Sequence, residues 1–140
     1  MTVALTQADF EALARFRQSV RQYLAFAEKG AKAAGLTSQQ HQALLAIKAQ
    51  SYSGAITIGD LANRLLLQSH SAAGLVDRLV AAELVARETG STDRRVVHVR
   101  LTSRGEHVLA LLSERNLQEL KIISPSLEMS LNRFEYLRED

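Results

Sequence analysis

The chain is predicted to be mainly α-helical with a small β-wing, and three observations carry that prediction. Two short amphipathic patterns, Leu61-Ala-Asn-Arg-Leu65 and Leu75-Val-Asp-Arg-Leu79, lie close together in mid-sequence. Two runs of β character follow, Leu84 to Thr89 and Arg95 to Leu101, around the turn-forming Gly90-Ser-Thr-Asp93. Long stretches with apolar residues at three- and four-residue steps flank this centre on both sides. Read in order, these make a winged helix-turn-helix domain flanked by long N- and C-terminal helices.

The first helix is expected from Gln7 to Ala34. Thr6 caps it with Asp9 as capping-box partner, and Gly35 ends it. Phe10, Leu13, Phe16, Val20, Leu24 and Ala27 give it a continuous apolar face. At 28 residues it would span about 40 Å, so part of that face is expected to lack a partner within the chain, which points to a dimer. Thr37 or Ser38 caps a second helix that ends near Ala49, with Leu44, Leu45 and Ile47 inward. After a turn at Tyr52-Ser-Gly-Ala, Ala55-Ile-Thr57 is a short extended piece. A second capping box, Thr57 to Asp60, opens a helix to about Leu66 that buries Leu61, Ala62 and Leu65. The next helix, Ser69 to Ala82, buries Ala72, Leu75, Val76 and Leu79.

In the hairpin, Leu84 and Ala86 are expected on one face of the first strand, and Val97, Val99 and Leu101 on one face of the second. Thr102 then caps a helix to about Lys121 that carries Val108, Leu109, Leu111, Leu112 and Leu117. Ser124-Pro125 is expected to start a separate last helix, since proline suits a first helical turn, with a stripe of Leu127, Leu131, Phe134 and Leu137. One domain covering residues 1–140 is the natural size reading. Its flanking helices take residues 6–35 and 103–140, and the winged module takes 37–102.

Composition narrows the function classes. Cysteine is absent, which excludes disulfides, thiolate metal sites and thiol redox sensing and suits a reducing cytoplasm. No apolar run approaches the roughly 18–20 residues of a membrane span, and no signal-peptide core is evident, so a cytoplasmic protein with no membrane partner is expected. The net charge is only +2, but it is distributed unevenly: +3 over residues 1–53, +2 over 54–104 and −3 over 105–140. Positive charge lies with the winged module and negative charge with the tail.

A helix-turn-helix presents the N-terminal end of its second helix to base edges in the major groove. Side chains there should be small or polar so that the backbone can approach. Here that end reads Gln68-Ser69-His70-Ser71-Ala72-Ala73-Gly74. Gln68, Ser69 and His70 can donate or accept at base edges, and backbone N–H groups at the helix start can take a phosphate. Arg94 and Arg95 lie just past the hairpin turn, where a wing tip would meet the minor groove, and narrow A·T-rich grooves attract inserted arginine. Asp93 reads as a brace that orients an arginine two residues on. Taken singly, a capped polar helix start and two solvated arginines are ordinary surface. Their order is what points to duplex DNA.

Leu61-Ala-Asn-Arg-Leu65, Leu75-Val-Asp-Arg-Leu79, Leu84-Val-Ala-Arg87, Asp93-Arg-Arg95 and Leu101-Thr-Ser-Arg-Gly105 together resemble the MarR family of bacterial transcriptional regulators. Leu36-Thr-Ser-Gln-Gln40 also matches that family's usual entry to its second helix. The resemblance implies a homodimeric winged helix whose terminal helices form the dimer interface, with Phe10, Leu13, Phe16, Leu127, Leu131 and Phe134 as candidate interface residues. It implies that Arg95 is the minor-groove residue, Asp93 its brace and Arg94 a phosphate neighbour. Arg78 would approach the backbone or anchor the wing, with Asp77 orienting it. Ser38, Gln68, Ser69, His70, Ala73 and Gly74 complete the candidate DNA-binding set. The implied function is a repressor that binds a pseudo-palindromic operator and is released by a small aromatic or carboxylate effector.

The chain departs from the family pattern at three positions. Gln68 stands where Ser or Thr is usual, a weaker cap; Gly74 stands where a longer, often basic side chain is usual. His41 stands where an aromatic or large apolar residue is common, near the cleft in which relatives bind effectors, and is the candidate effector contact. The four histidines, His41, His70, His98 and His107, show no metal-ligand spacing, so neither metal nor cofactor is expected. No nucleophile–base pair, phosphate loop or carboxylate cluster suggests an enzyme. The alternative reading is a winged helix used for protein or architectural contacts without base readout.

Overall fold

The computed structural model describes residues 4–50, 55–89 and 96–135. Its elements are α1 (Gln7–Ala33), α2 (Ser38–Gln50), β1 (Ala55–Thr57), α3 (Ile58–Leu65), α4 (Ser69–Ala81), β2 (Val85–Thr89), β3 (Val97–Leu101) and α5 (Ser103–Glu135). The fold is mostly helical with one small antiparallel sheet in the order β1-β3-β2. The chain divides into two compact units, residues 31–112 and residues 1–30 with 113–140.

In the unit of residues 31–112, local sequence signals start and stop the helices. The Thr37 N–H donates to the Gln40 side-chain carbonyl and the Gln40 N–H to the Thr37 hydroxyl, a reciprocal cap in which Thr37 rather than Ser38 does the capping. The Asp60 N–H donates to the Thr57 hydroxyl at the start of α3. Leu66 ends α3 in the left-handed region at φ 56°, and the Leu67 N–H closes back on the Ala62 carbonyl. Leu44, Ile47, Leu61, Leu75, Val76, Leu79 and Val99 have 1% or less of their surface exposed and form the centre of the core. Leu109 and Leu112 join that core, so the first turns of α5 belong to the winged unit.

Three inward assignments fail. Leu45 is exposed, because it shares no face with Leu44 and Ile47; His41 occupies the inward position one turn earlier. Leu65 is only half-buried at the end of α3. In β2 the buried residue is Val85 while Ala86 is exposed, so the strand is shifted by one residue from the expected alternation. Val85 pairs with Leu101, Arg87 with Val99 and Thr89 with Val97, which puts Arg87 on the face that Val99 and Leu101 present to the core.

In the other unit, α1 up to Gly30 and α5 from Ser113 run antiparallel. The Ser19 hydroxyl donates to that of Ser126 at 3.2 Å, the Phe16 and Phe134 rings meet edge to face at 6.1 Å, and the Arg115 guanidinium lies 5.4 Å from the Phe26 ring centroid. Asp9 is buried: its carboxylate accepts from the Thr6 N–H at 2.8 Å and from Arg133 Nε at 3.1 Å. The expected break at Ser124-Pro125 does not occur. Pro125 lies inside α5, which continues to Glu135. Proline deprives only the Lys121 carbonyl of its N–H partner. Burial of Ile123 and Ser130 on either side holds the helical course through it. Of the apolar residues this helix carries, Leu109 and Leu112 are buried and Leu111 and Leu117 are exposed.

Candidate nucleic-acid interface

The start of α4 is where the winged unit turns polar. Ala72, Leu75, Val76 and Leu79 anchor the helix in the core and leave Gln68, Ser69, His70 and Ser71 exposed at its N-terminal end. Gln68 is the N-cap residue but makes no side-chain capping bond; its carbonyl accepts the Ala72 N–H at 3.0 Å. The backbone donors of the first turn therefore have no side-chain cap, the arrangement that favours an anion at a helix start. Ala73 and Gly74 continue the surface half-buried. A Cβ built at Gly74 would meet only the end of the Arg78 side chain at 3.9 Å, so that position is open for close approach by another molecule.

Arg78 is exposed on α4, but the orienting role expected of Asp77 is not found. Asp77 accepts a charge-assisted hydrogen bond from Arg87 Nη2 of β2 and so ties α4 to the hairpin. Arg87 lies in the quoted Leu84-Val-Ala-Arg87 motif, yet reading Leu84 and Ala86 as the inner face aimed it outward. The slip of one residue hid the contact, since it reverses every side chain of a strand. Alternation counted from Val85 would have revealed it.

The outer face of the hairpin carries a second pair. Arg100 Nε donates to Glu88 Oε1 at 2.6 Å across the β2–β3 ladder. That bond holds the Glu88 carboxyl below the usual carboxylate range and raises Arg100 further. Asp93, Arg94 and Arg95, the expected wing-tip residues, lie outside the described residues, as does the expected turn at Tyr52-Ser-Gly.

Ser38 lies in the first turn of α2, where its hydroxyl accepts from Gln42 Nε2 at 3.0 Å. His41 faces the interior, 6% exposed. Its Nε2 is buried with no hydrogen-bond partner among the described residues, and burial lowers its pKa from 6.5, so the ring is neutral. The interface candidates divide between exposed and inward positions: Phe10, Leu13 and Leu131 are about half exposed, whereas Phe16, Leu127 and Phe134 are half-buried. Among the described residues no group of three or more His, Asp or Glu side chains is placed to hold a metal ion. No described helix is long and apolar enough to cross a membrane.

A family model described as MarR family matches residues 34–96. The transcriptional regulator FarR of Neisseria gonorrhoeae is 30% identical over 114 residues, covering 81% of this chain and 68% of FarR. The transcriptional activatory protein BadR of Rhodopseudomonas palustris is 31% identical over 86 residues, 61% of this chain; that match spans about half (49%) of BadR. Among solved structures, a mutant MarR from E. coli complexed with operator DNA superposes with a TM-score of 0.70 at 20% identity, covering 88% of this chain and 87% of that one. At that identity the superposition establishes a common fold.

Proposed function

This chain belongs to the MarR family of transcriptional regulators, which are not enzymes, and on that premise we propose that it is a sequence-specific DNA-binding repressor acting as a homodimer on a pseudo-palindromic operator. The observation that carries the reading is the start of α4: a row of exposed polar residues, uncapped by Gln68 and followed by the open position at Gly74, on a helix whose other face is locked in the core. A helix of that construction can enter a major groove end-on, with Ser69 and His70 at base edges and the backbone N–H groups toward a phosphate. The operator complex of the mutant E. coli MarR supports this use of the fold. Arg95 then serves the minor groove with Asp93 as its brace, and Arg94 a phosphate.

The dimer reading rests on apolar side chains left exposed in the unit of α1 and α5. Phe10, Leu13, Leu24, Leu117, Ile122, Met129 and Leu131 each have 46% or more of their surface accessible. A two-fold pair of such chains would read two half-sites about 34–36 Å apart, one turn of DNA. Repression follows from occupying an operator that a transcribing polymerase needs. Relief by a small aromatic or carboxylate effector attaches to His41, whose buried Nε2, without a partner among the described residues, is a hydrogen-bonding group that a phenol or acid could satisfy. A cytoplasmic location belongs to the same reading.

Selection from a random pool of duplex oligonucleotides tests it. The expected outcome is enrichment of an inverted repeat whose retention weakens steeply as salt rises. Retention of no duplex even at about 50 mM salt would refute DNA binding, and enrichment of an unpaired half-site would refute the two-fold arrangement.

A further inference from the structure

His70, Ala73 and Asp77 follow one another at helical spacing, so the carboxylate of Asp77 lies on the same face of α4 as the residues proposed to meet DNA. Both Asp77 and His70 are exposed. A lone carboxylate on that face would repel the phosphate backbone. It is not alone. Arg87 reaches it from β2 through Nη2, and Asp77 is the partner the structure gives to Arg87. A guanidinium has five N–H donors in a planar fork, and one bond to a single carboxylate oxygen leaves donors to spare. The Arg87 side chain is still 39% exposed, so those donors are within reach of a second anion.

We propose that Arg87 is a phosphate-binding residue at the flank of the recognition helix, and that Asp77 is the positioning residue that holds its guanidinium there. This rests on the DNA-binding reading above. The pair cancels the charge of Asp77 on the binding face and fixes a cation at the junction of α4 and β2, where the backbone would pass as α4 enters the groove. A lysine would keep the charge without the fork, so it could not serve both anions in the same geometry.

The test is the salt dependence of binding to a random-sequence 30-base-pair duplex, with folding checked by thermal melting. Phosphate contacts are read in the slope of log affinity against log salt, whatever the sequence. Arg87→Gln is expected to weaken binding roughly tenfold and reduce the slope by about one unit. Arg87→Lys should keep the wild-type slope at intermediate affinity. Asp77→Asn should weaken binding with the slope unchanged, because the arginine charge remains but its aim is lost. The double variant Asp77→Asn/Arg87→Gln leaves neither charge unpaired, and is expected to show the reduced slope even if the single Arg87→Gln variant folds poorly. A wild-type slope in Arg87→Gln or in the double variant would reduce the pair to a structural brace. Tighter binding by Asp77→Asn would make Asp77 a competitor for the arginine instead of its positioner. Failure of the wild-type protein to bind any duplex would fall on the parent reading.

Discussion

His41 shows how one inward turn of a helix changes what a residue does. In the sequence it reads as a polar-edge residue, because glutamines surround it and the apolar residues begin only at Ala43. In the structure it takes the inward position three residues before Leu44, and burial holds its ring neutral. In the unfolded chain the same ring titrates near 6.5. Above that pH both states are neutral at this site and stability is unaffected. As pH falls from 6.5 toward the lowered folded value, the unfolded state binds the extra proton and the folded state does not, so stability is lost. The melting temperature is therefore expected to fall between pH 7.5 and 5.5, and to fall less in His41→Gln, as thermal melts at the two pH values would show. Equal pH sensitivity in the variant would clear His41 of the effect. The inward turn was not legible from periodicity, which weighs apolar residues and finds no such mark on an imidazole; only the family resemblance, which sets a large apolar residue at this position, pointed to it.

At the scale of elements, the segment Leu101-Thr-Ser-Arg-Gly105 gains a physical account. The Thr102 hydroxyl donates to the Glu83 carbonyl at 2.6 Å and accepts the Gly105 N–H at 3.1 Å, while the Thr102 N–H donates to the Leu84 carbonyl. The start of α5 is thereby pressed on the chain entering β2. A Cβ built at Gly105 would lie 2.1 Å from the Leu84 carbonyl oxygen, backbone that cannot swing aside. Gly105→Ala is expected to destabilise the fold by about 1–3 kcal/mol despite alanine's better helix propensity, measured by urea unfolding. A neutral or stabilising result would show that α5 can shift away from β2 freely. The capping box at Thr6, the N-cap at Thr57, the αL end of α1 at Gly35 and the hairpin strands were readable, since each depends on neighbours in sequence. The continuity of α5 through Pro125 and the one-residue shift of β2 were not, because both are decided by partners far along the chain.

For the molecule as a whole, the question of partnership falls on α1 and α5. Phe10 and Leu131 each keep more than half of their surface accessible, so their substitution removes little from the packing within one chain. Leu131→Glu is expected to shift the protein from dimer to monomer in sedimentation equilibrium with its helical signal preserved, and to abolish operator binding with it. A dimer that persists would place the interface elsewhere.

Among the described residues, the sheet order β1-β3-β2 leaves two margins bare. One is a strand of three residues, too short to template a foreign strand, and the other sets Arg87 and Glu88 side by side along its length. Lateral growth of the sheet would strip water from both of those ions, the device by which natural β-structures resist stacking into fibrils. Among the described residues, the exposed large apolar side chains lie on helices or, at Leu5 and Leu66, beside them, and none lies on the ladder, where almost any extended peptide would pair.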